Sequence, residues 1–413
     1  MRASAEVREA FQYALAIFTL TVLIGLANAT QVFGNPDRNT LLTHLHSGTL
    51  GWITMGVIGI AMWIFGANRA GLGTAVMLSG FTTLAYVMAF WSGVFILRGV
   101  FGLAELAVIA YWWWFVYTSS GRMDGIRSLD IPKLSVLLGL TTLVIGSTLG
   151  VIVQVMLATG VALPTSVDLI GAHAAAQTGG YLVLVAAGFM EWQLSGGGKR
   201  TRLGLAQVYL LFGGGLVLAF SLLLGSFLGE ALQQALPGIA TLLTLAGIVI
   251  VAVRFGRAAI AAPWMAATGT RHIAVAVPFL ALAVVLQAIL VQQFIAAQGD
   301  FTKVSIGLVH AFDHAYFVGL MTNVLFGAIL VTSTDRPRVW PWADHVIFWG
   351  LNVGAAAFIA VLLIVGSGEG KPAFTHPVAF VAPIMGLSAL LGIVTHLMRL
   401  GWVPSSLRAA MRT

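Results

Sequence analysis

The sequence predicts an all-α polytopic membrane protein of about twelve transmembrane helices. Three observations predict it. Of 413 residues, 59% are hydrophobic and only 8% charged, whereas a soluble domain carries roughly a quarter charged residues. The apolar residues come in runs of about 20 or more, the length that crosses ~30 Å of hydrocarbon. The basic residues fall almost wholly at alternate run ends.

The runs place spans at 11–33, 43–66, 71–93, 95–117, 134–160, 169–192, 203–228, 232–255, 273–297, 306–332, 343–366 and 376–400. The connections are short, so one integral membrane domain over 1–413 is expected. The first run ends in Leu26-Ala27-Asn28-Ala29, which looks like a small-residue cleavage site. The apolar stretch is long for a signal peptide, and a retained helix is expected.

One set of span ends carries Arg2, Arg8, Arg69, Arg122, Arg127, Lys133, Lys199, Arg200, Arg202, Arg254, Arg257, Arg271, Arg336, Arg338, Arg399, Arg408 and Arg412; the other carries Arg38, Arg98, Lys303 and Lys371. That is 17 basic residues against 4. The positive-inside rule then predicts a bacterial-type inner membrane protein with both termini cytoplasmic. Trp112, Trp113, Trp114, Trp192, Trp340, Trp342 and Trp402 lie at the basic ends, where an aromatic belt is expected.

No cysteine is present. Disulfides, cysteine-held iron–sulfur clusters and haem attached through C-x-x-C-H are excluded. The net charge of +7 is scattered through short loops, which fits a lipid surround and not nucleic acid.

The nine histidines are unevenly placed. His44, His46, His173, His310, His314 and His376 open the second, sixth, tenth and twelfth spans, at what the orientation predicts is the periplasmic side. The first five sit inside the apolar segments, where an ionisable residue is a functional-site candidate. They are expected to share a cofactor or metal site. His376 is a weaker candidate, and His272, His345 and His396 are expected to be interfacial residues of the cytoplasmic side.

Spans 2, 6 and 10 are four apart, which predicts three pseudo-repeats of roughly 1–133, 134–271 and 272–413. From His46, glycines follow at +5 and +13 (Gly51, Gly59), and from His314 again at +5 and +13 (Gly319, Gly327). From His173 the match is loose, with Gly179 at +6 and Gly188 at +15. Such glycines let helices approach, and small residues also suit the edge of a planar macrocycle.

On a helix, His44 and His46 point to opposite sides, about 200° apart. One helix can therefore serve two sites. His310 and His314 face one side and can bracket a metal or supply a ligand and its support. Asp313 beside them can orient an imidazole or cap the helix start. Zinc or copper needs no ligands spread over three distant helices. Haem does, because two opposed imidazoles hold the ring inside a bundle. One or two b-type haems are therefore expected, with copper less favoured.

The run His44-Leu45-His46-Ser47-Gly48-Thr49-Leu50-Gly51-Trp52 resembles the H-x-H-S-G-x-L-G-W stretch of haem–copper oxidase catalytic subunits, especially the cbb3 type. The resemblance implies twelve core spans in a pseudo-threefold arrangement and two haems on opposite faces of one helix. In that family the motif lies on the tenth helix; here it lies on the second. If the repeats are shifted by one, His46 pairs with His173 across a low-spin haem. Without the shift, a haem lies between spans 2 and 10, held by His44 or His46 and by His310 or His314. The adjacent histidines of the family's copper site are missing: span 7 has no His and span 11 only His345. The family's copper-linked Tyr also has no counterpart after His173. A looser resemblance is to membrane haem proteins of nitric oxide resistance, whose H-x-H-E-M motif is not present.

The function implied is a haem protein that binds or reduces a diatomic gas (oxygen or nitric oxide) or transfers electrons, fed by quinol or a cytochrome partner subunit. If it is an enzyme, it is an oxidoreductase. Two other readings stand beside it: a non-enzymatic protein of nitric oxide sensing or resistance, and a His-lined transporter without haem. Glu105, in the middle of span 4, can relay protons. Arg38 and Arg98 can pair with haem propionates. Gln154, Gln177, Gln207, Gln287, Thr322 and Asn323 are expected to bond between helices.

Overall fold

A computed structural model describes residues 3–402 except 68, 165, 298 and 299. Of the predicted basic residues, Arg2, Arg408 and Arg412 lie outside the described residues. Twelve helices are long and apolar enough to cross a membrane: span 1 (Ala5–Thr30), span 2 (Arg38–Phe65), span 3 (Leu72–Ser92), span 4 (Phe95–Ser119), span 5 (Ile131–Ala158), span 6 (Leu169–Leu194), span 7 (Arg202–Leu224), span 8 (Glu230–Ile260), span 9 (Gly269–Ala296), span 10 (Ile306–Thr332), span 11 (Ala343–Ile364) and span 12 (Val378–Arg399). There is no strand among the described residues.

Side-chain caps set several starts; those of spans 1 and 2 lie earlier than hydropathy alone placed them, and those of spans 6 and 10 fall where it did. Ser4 accepts from the Val7 backbone N–H, so span 1 begins six residues earlier than its apolar run. Asp37 accepts from Thr40 N–H at 2.7 Å, Asp168 from Gly171 at 2.7 Å and Ser305 from Leu308 at 3.3 Å. These three caps open spans 2, 6 and 10. Each satisfies a backbone donor that the first helical turn leaves without a partner.

Spans 2, 6 and 10 form the middle of the bundle. Their apolar windows are 72%, 61% and 83% buried, against 28% for span 8. Each changes winding at the same point. After His46, Ala175 and His314 the helices pass into π-helical segments, Ser47–Thr54, Ala176–Leu182 and Ala315–Thr322, before returning to α-helix. Such segments are rare and gather at functional sites.

The π onset corrects the glycine register. Counted from the residue before each π segment, glycines stand at +5 and +13 in all three spans: Gly51 and Gly59, Gly180 and Gly188, Gly319 and Gly327. Ala175 therefore corresponds to His46 and His314, and His173 to His44.

These glycines seat the preceding span. A Cβ on Gly51 would stand 2.1 Å from Ile17, one on Gly180 2.9 Å from Thr142 and one on Gly319 2.2 Å from Phe279. Gly59, Gly188 and Gly327 meet Phe11, Ser135 and Ile273 in the same way. Their role is close approach of spans 1, 5 and 9. Polar links then tie the centre together: Trp52 Nε1–H donates to Thr322 Oγ1 at 3.0 Å, and the Tyr181 hydroxyl donates to Thr54 Oγ1 at 3.3 Å.

Candidate functional site

His44 and His173 are held by the span before their own. The Nδ1–H of His44 donates to the Thr21 carbonyl at 2.9 Å, and that of His173 to the Gly146 carbonyl at 2.7 Å. Each ring lies against a glycine four residues further along that span. A Cβ on Gly25 would stand 2.9 Å from His44 Cε1, and one on Gly150 2.8 Å from His173 Cε1.

His46 and His314 are held differently, and again alike. The Nδ1–H of His46 donates to the Leu42 carbonyl and that of His314 to the His310 carbonyl, both at 2.7 Å. Each ring then packs on an aromatic side chain of the following span. His46 stacks on Phe90 with centroids 3.7 Å apart and planes at 15°. His314 lies 4.6 Å from Phe358 at 56°.

A backbone carbonyl only accepts, so all four rings carry their proton on Nδ1. Nε2 is left with a free lone pair, the arrangement that orients an imidazole as a metal ligand. The four residues are half-buried although they lie between helices.

The tertiary structure pairs them. His44 is within charge–charge range of His310 and His314, and His46 is within range of His173 and Arg98. His46 and His173 are thus neighbours on one side of span 2, and His44, His310 and His314 on the other. Each group joins a ring held by a preceding span to a ring held by its own helix. At the third such interface the corresponding residues are Ala175 and Phe312, both buried and apolar. A water-sized cavity between spans 7, 8 and 9, lined in part by Leu218, Ala240 and Gln287, lies on that side. The Tyr316 hydroxyl donates to the same Gln287, at Oε1, at 2.8 Å.

The remaining candidates are placed as follows. His310 Nε2 lies 3.7 Å from a Glu369 carboxylate oxygen in the loop after span 11. Sequence reasoning missed Glu369, because only the fold brings that loop over span 10. Asp313 sits beside the two histidines without a hydrogen bond to either ring. Arg38 is exposed and close to Arg98. Arg98 is 3% exposed. It donates to Asn39 Oδ1 at 2.7 Å and to the Phe90 carbonyl at 2.9 Å, and its guanidinium lies over the Phe90 and Phe95 rings. It pairs with no carboxylate among the described residues. At the mouth of the site, the Asp37 carboxyl is held below its ordinary value chiefly by the Thr40 backbone N–H. His376 lies in a loop, where its Nδ1 accepts from the Val378 N–H at 3.3 Å.

Two expectations about the basic end are corrected. His272 and His396 are each 1% exposed, not interfacial. His272 Nδ1–H donates to Asn323 Oδ1 at 2.9 Å, and Asn323 bonds on to Asn352 at 2.7 Å. Arg399 pairs with Asp344 at 2.8 Å, and Arg271 reaches the Asp344 carbonyl and, at 3.3 Å, His345. Four helices there bury charges that the loop positions placed in water, because Asp344, Arg271 and Arg399 compensate one another. Trp112 is 1% exposed and donates to Ser79 Oγ at 2.9 Å, so it is a packed residue and not a lipid anchor. Of the interhelical polar residues, Gln154 Oε1 makes no hydrogen bond. Gln177, Gln207, Gln287, Thr322 and Asn323 all bridge helices.

Among the described residues no three His, Cys, Asp or Glu side chains converge as a metal-ion site. The imidazoles come as neighbours across helix interfaces. No protein-family model and no curated protein matches the chain.

Proposed function

We propose that the chain is a membrane protein of b-type haem, built from three four-span repeats, which passes electrons between two haems and handles a diatomic gas at one of them. The observation that carries this reading is the pair of matched imidazole sets on opposite sides of span 2, each with Nδ1–H fixed on a carbonyl and Nε2 free. The residues fit the group. Haem is held by imidazoles from facing helices, and each interface offers one from span 2 and one or two from the helix beside it. The large-to-small positions Gly25 and Gly150 leave room only for the rings they seat.

His46 and His173 would hold one haem and His44 with His314 the other. A bound haem b would supply a reversible one-electron couple and an iron able to bind a diatomic gas. The carbonyls of Thr21, Leu42, Gly146 and His310 hold the proton on Nδ1 and orient the imidazoles. Span 2 joins the two sites through the two residues between which only Leu45 stands. Arg98, a cation without a carboxylate partner, lies near His46 and would meet propionate charge there, with Arg38 outside it. His310, drawn toward Glu369, gives the second site a further polar group that the first lacks. This favours the site between spans 2 and 10 as the place where gas is bound or reduced. The basic bias supports a periplasmic position for the histidines, and electrons would come from quinol or a cytochrome partner.

The test is the visible spectrum of the protein purified in detergent, oxidised and reduced with dithionite, with a pyridine haemochrome assay. A b-type spectrum is expected, with a fraction that shifts on adding carbon monoxide. A colourless protein made with ample haem supply overturns the proposal and favours a His-lined transporter. Haem with gas binding but no turnover with quinol favours nitric oxide sensing.

A further inference from the structure

The basic end holds more enclosed positive charge than its carboxylate answers. Arg271 in the first turn of span 9, Arg338 in the loop before span 11 and Arg399 at the end of span 12 gather around Asp344, in the first turn of span 11. Asp344 gives both oxygens to one Arg399 nitrogen, at 3.1 Å and 2.8 Å, and lies 3.9 Å from Arg338 Nε. Arg271 reaches the backbone carbonyl of the same residue. Three guanidinium groups thus meet one carboxylate among the described residues. Arg271 and Arg399 are 0% and 5% exposed, and an enclosed cation without its counter-charge is costly. The histidines within reach, His272, His345 and His396, bring no negative charge.

Donors are left over in the same place. Nε of Arg271 and Nε of Arg399 are buried and make no hydrogen bond. Thr268 is the N-cap residue of span 9, but its hydroxyl is buried without a partner and caps nothing. In spans 1, 2, 5, 6, 7 and 10 a side-chain oxygen takes a first-turn amide instead. Arg338 stands at this uncapped start and donates to the Ala267 carbonyl at 2.9 Å. First-turn amides and the helix dipole draw an anion to a helix start. Guanidinium groups beside it add forked donors that match the oxygens of a phosphate.

The surroundings say which phosphate. The side chain of Arg338 is 49% exposed, against 4% for that of Arg399, so Arg338 is the lip of the cluster. Trp342 beside it is 58% exposed and stacks with Trp340 at 6.4 Å, at a span end where aromatic rings sit among lipid headgroups. Val346, Trp349 and Val353 continue the exposed apolar stripe along span 11 at helical spacing. The stripe gives an acyl chain a track that starts at the arginines. A headgroup carrying its own cation meets the excess positive charge there, and an acidic headgroup relieves it.

We propose that this cluster binds the phosphate of an acidic membrane phospholipid, with Arg338 and the start of span 9 taking its oxygens and an acyl chain along the stripe of span 11. The phosphate supplies the counter-charge that Asp344 alone does not. The site is independent of the haem reading.

The experiment places the purified full chain in nanodiscs of phosphatidylcholine, alone or with phosphatidylglycerol, and follows thermal unfolding. Native mass spectrometry from detergent counts the phospholipid retained per chain. Phosphatidylglycerol raises the unfolding temperature, and one molecule per chain is retained. Arg338→Gln, at a half-exposed loop position, lowers that retention roughly tenfold, the loss of one hydrogen bond between charged groups, and removes the difference between the two membranes. Arg202→Gln, exposed at the start of span 7, leaves retention unchanged. Asp344→Asn loses less stability in phosphatidylglycerol than in phosphatidylcholine, because the phosphate then answers the arginines. Equal unfolding temperatures in the two membranes overturn the proposal, as does a phosphatidylglycerol effect that survives Arg338→Gln. A rise of the same size from inorganic phosphate in phosphatidylcholine discs overturns the lipid assignment in favour of a soluble anion.

Discussion

His44 and His173 hold the same place in two different helices. Each lies two residues before the residue that precedes a π segment, each donates Nδ1–H to a carbonyl of the span before, and each ring rests on a glycine four residues past that carbonyl. The ring cannot swing away without giving up its hydrogen bond. A methyl group on either glycine therefore displaces the imidazole. Gly150→Ala is expected to weaken the bands of the His46–His173 site and leave the other site intact, and Gly25→Ala the reverse. Each also costs about 1–3 kcal/mol for overpacking. Reduced spectra and thermal unfolding in detergent check both.

The pairing itself predicts which variants agree. His46→Ala and His173→Ala should lose the same low-spin bands, and the double variant should lose no more than either alone. His44→Ala and His314→Ala should form a second such set. Haem content per protein, measured by pyridine haemochrome, should fall by about half in each set if a lone imidazole does not retain the ring. Loss of all haem in one variant of either set would contradict two separate sites.

At the basic end, the ion pair of Arg399 with Asp344 is almost wholly enclosed, at 4% and 1% side-chain exposure. Removing one partner leaves a buried charge uncompensated. Asp344→Ala is expected to destabilise the protein by about 3–5 kcal/mol, read as a lowered unfolding temperature with an unchanged haem spectrum. Arg399→Met in the same background should recover part of the loss, because it removes the stranded charge.

Span 2 also makes a pH prediction. The folded state holds the Asp37 carboxyl below its ordinary value of 3.8, first through the Thr40 N–H. A group depressed in the folded state binds fewer protons there than when unfolded, so its contribution is complete above the ordinary value. It is lost as pH falls through the lowered one. Hydrogen exchange at the Thr40 amide should therefore stay slow from neutral pH down to about 4 and quicken only below it. Asp37→Asn, which caps without titrating, should remove the acid dependence.

Much of the candidate site was legible in the sequence. Residues two apart on a helix must face opposite ways, and His44 does lie against span 1 while His46 lies against span 3. The depth of five histidines in apolar segments followed from counting turns. The register of the sixth span did not follow, because the π segment there begins after an alanine and the count was started from His173. The burial of His272 and His396 was hidden for another reason: hydropathy marks a span end and does not report how many helices close over it.

By itself the sequence determined the class, the twelve spans and the two-sided histidine pair, since these depend on local composition and helical geometry. Only the tertiary structure brought His46 near His173 and His44 near His310 and His314. That proximity depends on the rotation and depth of helices far apart in the chain, set where Gly51, Gly180 and Gly319 let spans 1, 5 and 9 come close. The same packing chose the carbonyls that hold each Nδ1–H, and brought Glu105 against Thr83 and Glu369 over His310. Contacts of that kind are fixed by the fit of side chains between helices, which no single span encodes.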